Sequence, residues 1–263
     1  MAGKSGRTIV NVPDKSWKKT LLCWESMLVV VFILINIFCA SISSSYQFSS
    51  VLREMPKYLT EMFLLFPMAY ILILGEIDIS VGAIVCLSAT MTCMASNKEW
   101  PFIVVVLVSL LVGTICGFVN GLILTKFTEL PPMIVTLGTQ IVFRGIAEIS
   151  LGSGGSVSLS NTEGFRMIAG KVGTIPYILF VVAIFAVIFT VVLSKTTFGR
   201  SVYAIGSNSR AAYYSGIHVQ RIRLIIYTAM GFMAGLAALF LTSVLYGANT
   251  TTGNGFEMDA IAM

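Results

Sequence analysis

The sequence predicts an all-α polytopic transmembrane helix bundle with about seven spans. Three observations carry this prediction. Of the 263 residues, 56% are hydrophobic and only 11% charged, and the mean hydropathy is +0.90, whereas about a quarter of a soluble domain is charged. Apolar runs recur at 21–42, 58–74, 79–96, 101–125, 132–150, 175–194 and 222–246, and a spanning helix needs about 17–25 residues. No apolar–polar alternation with a barrel rhythm runs through the chain, which leaves helices as the spanning elements.

The first run follows the basic stretch KSWKK, which has the form of a cleaved signal. The run is long enough to span and no soluble domain follows, so it reads as a retained first helix behind an N-terminal segment, 1–20. The second and third runs are separated only by GEID and read as one broken helix pair. Glu76 and Asp78 there cost about 2.5–3.5 kcal/mol each in a hydrocarbon setting. Gly75 can break the preceding helix, and Asp78 or Ser80 can cap the next one. Capping leaves Glu76 unexplained.

The fourth run carries Ser109, Gly113, Gly117 and Gly121 at strict four-residue spacing, a stripe on which another helix can approach closely. Asn120 beside it either faces a cavity or bonds between helices. In the fifth run Thr136, Gln140, Arg144 and Glu148 share one slowly turning face, since each four-residue step rotates by about 40°. That face reads either as the polar wall of a solute pathway or as a packing surface with an Arg144–Glu148 pair. Between the fifth and sixth runs, 152–174 reads as a flexible Gly/Ser loop. The seventh run carries Gly231 and Gly235 as a second close-packing pair.

Between the sixth and seventh runs lies the structured loop 195–221. Its NSRAAYYSGI stretch has the form of a short helix begun by Asn208 or Ser209 and ended by Gly216. It is either a docking element for a soluble partner or a connecting helix on the bilayer surface. With the N-terminus cytoplasmic, 11 Lys and Arg fall on the inner side (Lys4, Arg7, Lys15, Lys18, Lys19, Lys126, Lys195, Arg200, Arg210, Arg221 and Arg223) against 5 outside. That bias sets the expected orientation, and the loop 195–221 is then cytoplasmic.

The net charge of +5 is accounted for by these flanking residues, so nucleic acid is not an expected partner. The 5 cysteines form no CxxC pair and read as buried thiols, and the single histidine gives a metal site or triad little to build on. No nucleophile–base set is visible, so an enzyme is not expected.

Four stretches carry a family resemblance: GEIDISVGAI, PPMIVTLGTQIVFRGIA, TTFGRSVYAIGSNSRAAYYSGIHVQRIRLIIYTAMGFMAGLAAL and GNGFEMDAIA, in that order. With them the chain resembles the permease subunits of bacterial ABC importers for ribose and related sugars, a group that includes rhamnose, xylose and autoinducer-2 permeases. The resemblance implies import of a monosaccharide, or of autoinducer-2 or another small polar solute, across the cytoplasmic membrane. It implies two permease subunits, alike or different, a cytoplasmic ABC ATPase and an extracytoplasmic solute-binding protein. ATP-Mg would belong to the ATPase; no cofactor or metal is expected on this chain, which has no GxxxxGK[ST] loop. The candidate pathway residues are Glu76, Asp78, Ser80, Asn120, Thr136, Gln140, Arg144 and Glu148. The candidate ATPase-coupling residues are Gly199, Arg200, Asn208, Ser209, Arg210, Ala211, Ala212 and Gly216. The family usually has two glycines where this chain has Gly75–Glu76, and often an acid where it has Ser209. It also runs on past GNGFEMDAIA, so the chain reads as C-terminally truncated, and a transport-incompetent fragment is one alternative. An ion-coupled carrier using the intramembrane charges is another.

Overall fold

The computed structural model describes residues 24–42, 48–173 and 175–262. The expected segment 1–20 and Cys23 lie outside the described residues. The chain divides into two units, Met1–Arg53 and Glu54–Met263. The first contains α1 (Trp24–Ile42), a largely apolar helix. The second takes α2 (Phe48–Ile73) from Glu54 on, which runs to the break.

Beyond the break come α3 (Val81–Asn97), α4 (Phe102–Lys126) and α5 (Pro132–Leu151). The segment between α5 and α7 holds β1 (Ser156–Ser158), α6 (Glu163–Ile168), β2 (Lys171–Val172) and β3 (Ile175–Pro176). Then follow α7 (Tyr177–Lys195), α8 (Thr197–Ser207), α9 (Ser209–Tyr214), α10 (Val219–Leu245), β4 (Gly247–Asn249) and α11 (Phe256–Ala262). Among the described residues, each of the seven apolar runs lies largely on a helix. Among the described residues, Phe102–Lys126, Pro132–Gly154, Tyr177–Lys195 and Val219–Leu245 are long and apolar enough to cross a membrane, while Ser26–Ile42 and Val81–Asn97 are shorter apolar helices.

Helix ends follow local chemistry. Pro132 opens α5 at a position where no amide hydrogen is needed. Gly152, at φ +64°, closes it in a backbone region that costs glycine little. Pro101 and Pro176 stand directly before α4 and α7.

At the centre, α10 lies along α4, and α3 packs against both. Gly113 and Gly117 of the first predicted stripe meet Gly231 and Gly235 of the second here. A Cβ added at Gly113 would stand 2.7 Å from the Gly235 nitrogen, and one added at Gly117 would stand 2.7 Å from the Gly231 Cα. Ser109 Oγ donates to the Gly235 carbonyl at 2.8 Å. The backbones touch because no side chain separates them. Most of α3 is buried from one end to the other, as expected of a helix with partners all round.

The outer faces are as apolar as the core. On α4, Ile103, Leu107, Leu111, Ile115, Phe118 and Leu122 are exposed on one stripe, while its glycines, Ser109 and Asn120 are buried. Large side chains outside and small or polar ones inside reverse the order of a soluble protein and match a hydrocarbon surround.

The segment 152–174, expected as a flexible loop, is folded among the described residues. β1 pairs antiparallel with β4 in the register Ser156↔Asn249, Val157↔Ala248 and Ser158↔Gly247. β2 and β3 form a small hairpin. Asn97 at the end of α3 fastens the segment: its Nδ2 donates to the Ser158 carbonyl, and its Oδ1 accepts from the Ser160 N–H, both at 2.9 Å. The glycines and serines here gain backbone partners from elements distant in sequence, which local composition does not reveal.

Candidate functional site

The site is built around the break between α2 and α3. Gly75 takes φ +77°, and its N–H bonds back to the Leu72 carbonyl, while that of Glu76 bonds to Ile71. The chain thus turns out of α2 and delivers 76–80 into the interior. Glu76, Asp78 and Ser80 are all buried, at 8%, 1% and 0% exposure.

Two polar clusters form there. In the first, Glu76 pairs with Arg223 at 2.6 Å and accepts from the Tyr227 hydroxyl at 3.0 Å. Arg223 Nη1 also donates to the Leu124 carbonyl at 3.2 Å. The cluster ties the break to the start of α10 and the end of α4. This answers the presence of Glu76: its charge is neutralised and both oxygens are engaged.

In the second cluster, Asp78 Oδ1 accepts from the Ser80 N–H at 2.8 Å and from its hydroxyl at 2.7 Å. Asn120 Nδ2 donates to Ser80 Oγ at 2.7 Å. Thr136 Oγ1 accepts from the Ile79 N–H at 3.2 Å. Ser80 occupies the N-cap position of α3 but its side chain makes no capping bond to the helix, because Asp78 and Asn120 occupy that hydroxyl. Asn120 Oδ1 is buried and has no hydrogen-bond partner among the described residues. α3, α4 and α5 therefore meet at one polar point, where Asp78, Ser80, Asn120 and Thr136 converge.

Further along α5 the predicted face spreads out. Gln140 is half-buried. Arg144 Nη1 donates to the Thr250 carbonyl at 2.7 Å, and its Nη2 is buried without a partner among the described residues. Glu148 is exposed, and among the described residues no Arg144–Glu148 ion pair forms. Three steps of about 40° separate Glu148 from Thr136, enough to turn it off the inward face.

The segment after β4 completes the seam. Gly82, in the first turn of α3, has no side chain, and a Cβ there would stand 2.5 Å from Glu257 Oε2. That carboxylate oxygen is buried without a partner among the described residues, beside a helix start where negative charge is favoured.

Among the candidate coupling residues, Asn208 Oδ1 accepts from the Ala211 N–H at 3.0 Å and caps α9. Gly216, at φ +85°, turns the chain after it. Arg200, Ser209, Arg210 and Ala211 are exposed, whereas Gly199 and Ala212 are buried. Gly199 packs so closely on the Leu193 carbonyl that no side chain fits.

Sequence reasoning missed Arg223, Tyr227, Thr250 and Glu257. The first two carried a signal: they lie four residues apart on one face of an apolar helix, a charge and a hydroxyl together. The other two became site residues only through the return of 247–257 along α3. Cys39, Cys86, Cys93 and Cys116 are free, and among the described residues no group of His, Cys, Asp and Glu could hold a metal.

Lipid-compatible outer faces around buried polar clusters define an integral membrane protein. The chain belongs to the family described as branched-chain amino acid transport system / permease component, which it matches over residues 59–263. Its curated relatives include proteins named as import or transport-system permeases. It is 36% identical over 198 residues to the ribose import permease protein of Bacillus subtilis (strain 168), covering 75% of this chain and 61% of that one. It is 35% identical over 195 residues to the D-allose transport system permease protein of Escherichia coli (strain K12), covering 73% and 59%. It is 29% identical over 247 residues to an autoinducer 2 import system permease protein of Yersinia enterocolitica, covering 90% and 73%. The chain thus spans about three-fifths of the length of the ribose and allose relatives. No solved structure matches it.

Proposed function

We propose that the chain is the membrane subunit of an ATP-driven importer for a monosaccharide of the ribose, allose or rhamnose kind. The observation that carries this reading is the family match over 59–263, together with a polar seam at the α3–α4–α5 junction inside that span. Hydroxyls and amides such as Ser80, Asn120 and Thr136 suit a neutral polyol, and the unpartnered Asn120 Oδ1 offers an acceptor for a solute hydroxyl. Import of autoinducer 2 is the second reading, favoured by the autoinducer 2 permeases among the relatives.

In this reading the subunit sits in the cytoplasmic membrane with its N-terminus and the 195–221 segment inside. A second permease subunit, a soluble ATPase and an extracytoplasmic binding protein complete the importer. ATP-Mg is bound by the ATPase. The exposed Arg210, with Tyr213 and Tyr214 at 68% and 87% exposure, forms the surface the ATPase grips. α10 begins three residues past Gly216, and its second turn carries Arg223. A push on α9 thus reaches Glu76 through Arg223, which links ATPase movement to the seam.

The test is co-purification with a soluble ABC ATPase, followed by uptake of labelled ribose, allose and rhamnose. A stable complex that Arg210→Glu or Gly216→Trp disrupts supports the proposal. Uptake that follows an ion gradient without ATP, or no association with any ATPase, overturns it.

A further inference from the structure

The end of the bundle that carries Lys126 and Arg221 has a feature outside the polar seam. An open groove of about 380 Å3 lies between the last turn of α4 and the first turn of α10, lined by Leu122, Thr125, Lys126, Gln220, Arg221 and Leu224. Below it a second groove of about 540 Å3, also lined by Leu224, continues along the same two helices past Phe118, Ile225 and Phe232. The two open grooves adjoin at Leu224 and together make a slot along the surface of α4 and α10, cationic at the helix ends and apolar further in.

The charges at the mouth lack anionic partners: the Lys126 ammonium stands 6.0 Å from the centroid of the Phe127 ring, a contact that leaves its charge unneutralised. Neither Lys126 nor Arg221 forms an ion pair among the described residues, and no acidic side chain lines either part of the slot. The neighbouring Arg223 is already held by Glu76. Glu129, in the loop after α4, pairs with neither cation. The polar atoms of the deeper groove are turned away from it. Thr114 Oγ1 donates to the Leu110 carbonyl and Thr228 Oγ1 to the Leu224 carbonyl, within their own helices, so methyl groups are left to line the slot. From Lys126 to Thr114 the slot runs along about 18 Å of helix, against about 15 Å for one leaflet's hydrocarbon.

From this geometry we propose that the slot binds one anionic phospholipid, its phosphate between Lys126 and Arg221 and one acyl chain in the α4–α10 groove. Two cations at the mouth select a negative headgroup, and the apolar depth selects a lipid over a soluble phosphate. The site rests on the chain lying in a bilayer but on no step of transport, and its test needs neither ATPase nor solute.

The test is native mass spectrometry of the detergent-purified protein titrated with phosphatidylglycerol, phosphatidylcholine or inorganic phosphate. One phosphatidylglycerol is expected to be retained in preference to phosphatidylcholine, with no competition from inorganic phosphate. Removing both cations in Lys126→Ala/Arg221→Ala is expected to weaken retention about thirtyfold, at about 1 kcal/mol per cation. The exchange Lys126→Arg/Arg221→Lys keeps it, and Thr114→Trp, which fills the groove and spares the charges, weakens it. Melting temperatures measured in phosphatidylcholine show that each variant is folded. Equal retention of both lipids, unchanged phosphatidylglycerol binding in the double alanine variant, or displacement by inorganic phosphate overturns the proposal. So does a second copy of the chain on this face, seen as a dimer that Thr114→Trp dissolves while lipid binding is unchanged.

Discussion

Replacing Arg223 with methionine tests the central energetic claim about the break. The substitution keeps an unbranched apolar stem and removes the guanidinium. Glu76, 8% exposed, then keeps only the Tyr227 hydroxyl as a side-chain partner. Breaking a buried pair from one side costs about 3–5 kcal/mol, because the remaining charge is uncompensated. The Arg223 side chain is 18% exposed, so some water reaches the pair, and the low end, about 3 kcal/mol, applies. For a chain of this size that corresponds to a fall in melting temperature of about 6–12 °C. The double variant Glu76→Gln/Arg223→Met removes both charges and keeps an acceptor for Tyr227. It is expected to recover to within about 1 kcal/mol of the parent. The assay is thermal unfolding of the four proteins of this cycle in one detergent, read by intrinsic fluorescence. If Arg223→Met melts with the parent, or the double variant is no better than the single, the pair is not a compensated buried charge and the account of Glu76 fails.

Three further outcomes follow from single contacts. Gly113→Val places a side chain against the backbone at Gly231 and Gly235; it is expected to abolish folded protein in the membrane fraction, while Gly138→Ala, with open space around it, leaves yield unchanged. Asn208→Ala removes the cap on α9 at a cost of about 1 kcal/mol, and hydrogen exchange at 209–214 should speed about fivefold with the rest of the chain unaffected. Arg144→Gln removes the 2.7 Å bond to the Thr250 carbonyl, and exchange across 250–255 should rise while that of α9 stays constant; the opposite pattern would contradict the placement of Arg144.

The amino-acid sequence by itself determined the class of this protein. Helical spans, the break at Gly75, the close-packing stripes on α4 and α10 and the Asn208–Gly216 helix follow from hydropathy, glycine spacing and capping chemistry, which act over a few residues. On α5 the four-residue spacing holds Thr136 inward and leaves Glu148 exposed, because 3.6 residues per turn does not return Glu148 to the same face. The tertiary structure alone decided which residues meet. Glu76 finds Arg223 and Tyr227, Arg144 finds Thr250 rather than Glu148, and β1 finds β4, all across long stretches of chain. Such pairings are selected by the need to neutralise charge and satisfy hydrogen bonds in an interior with little water. That demand belongs to the assembled helices, and no local run of residues states it.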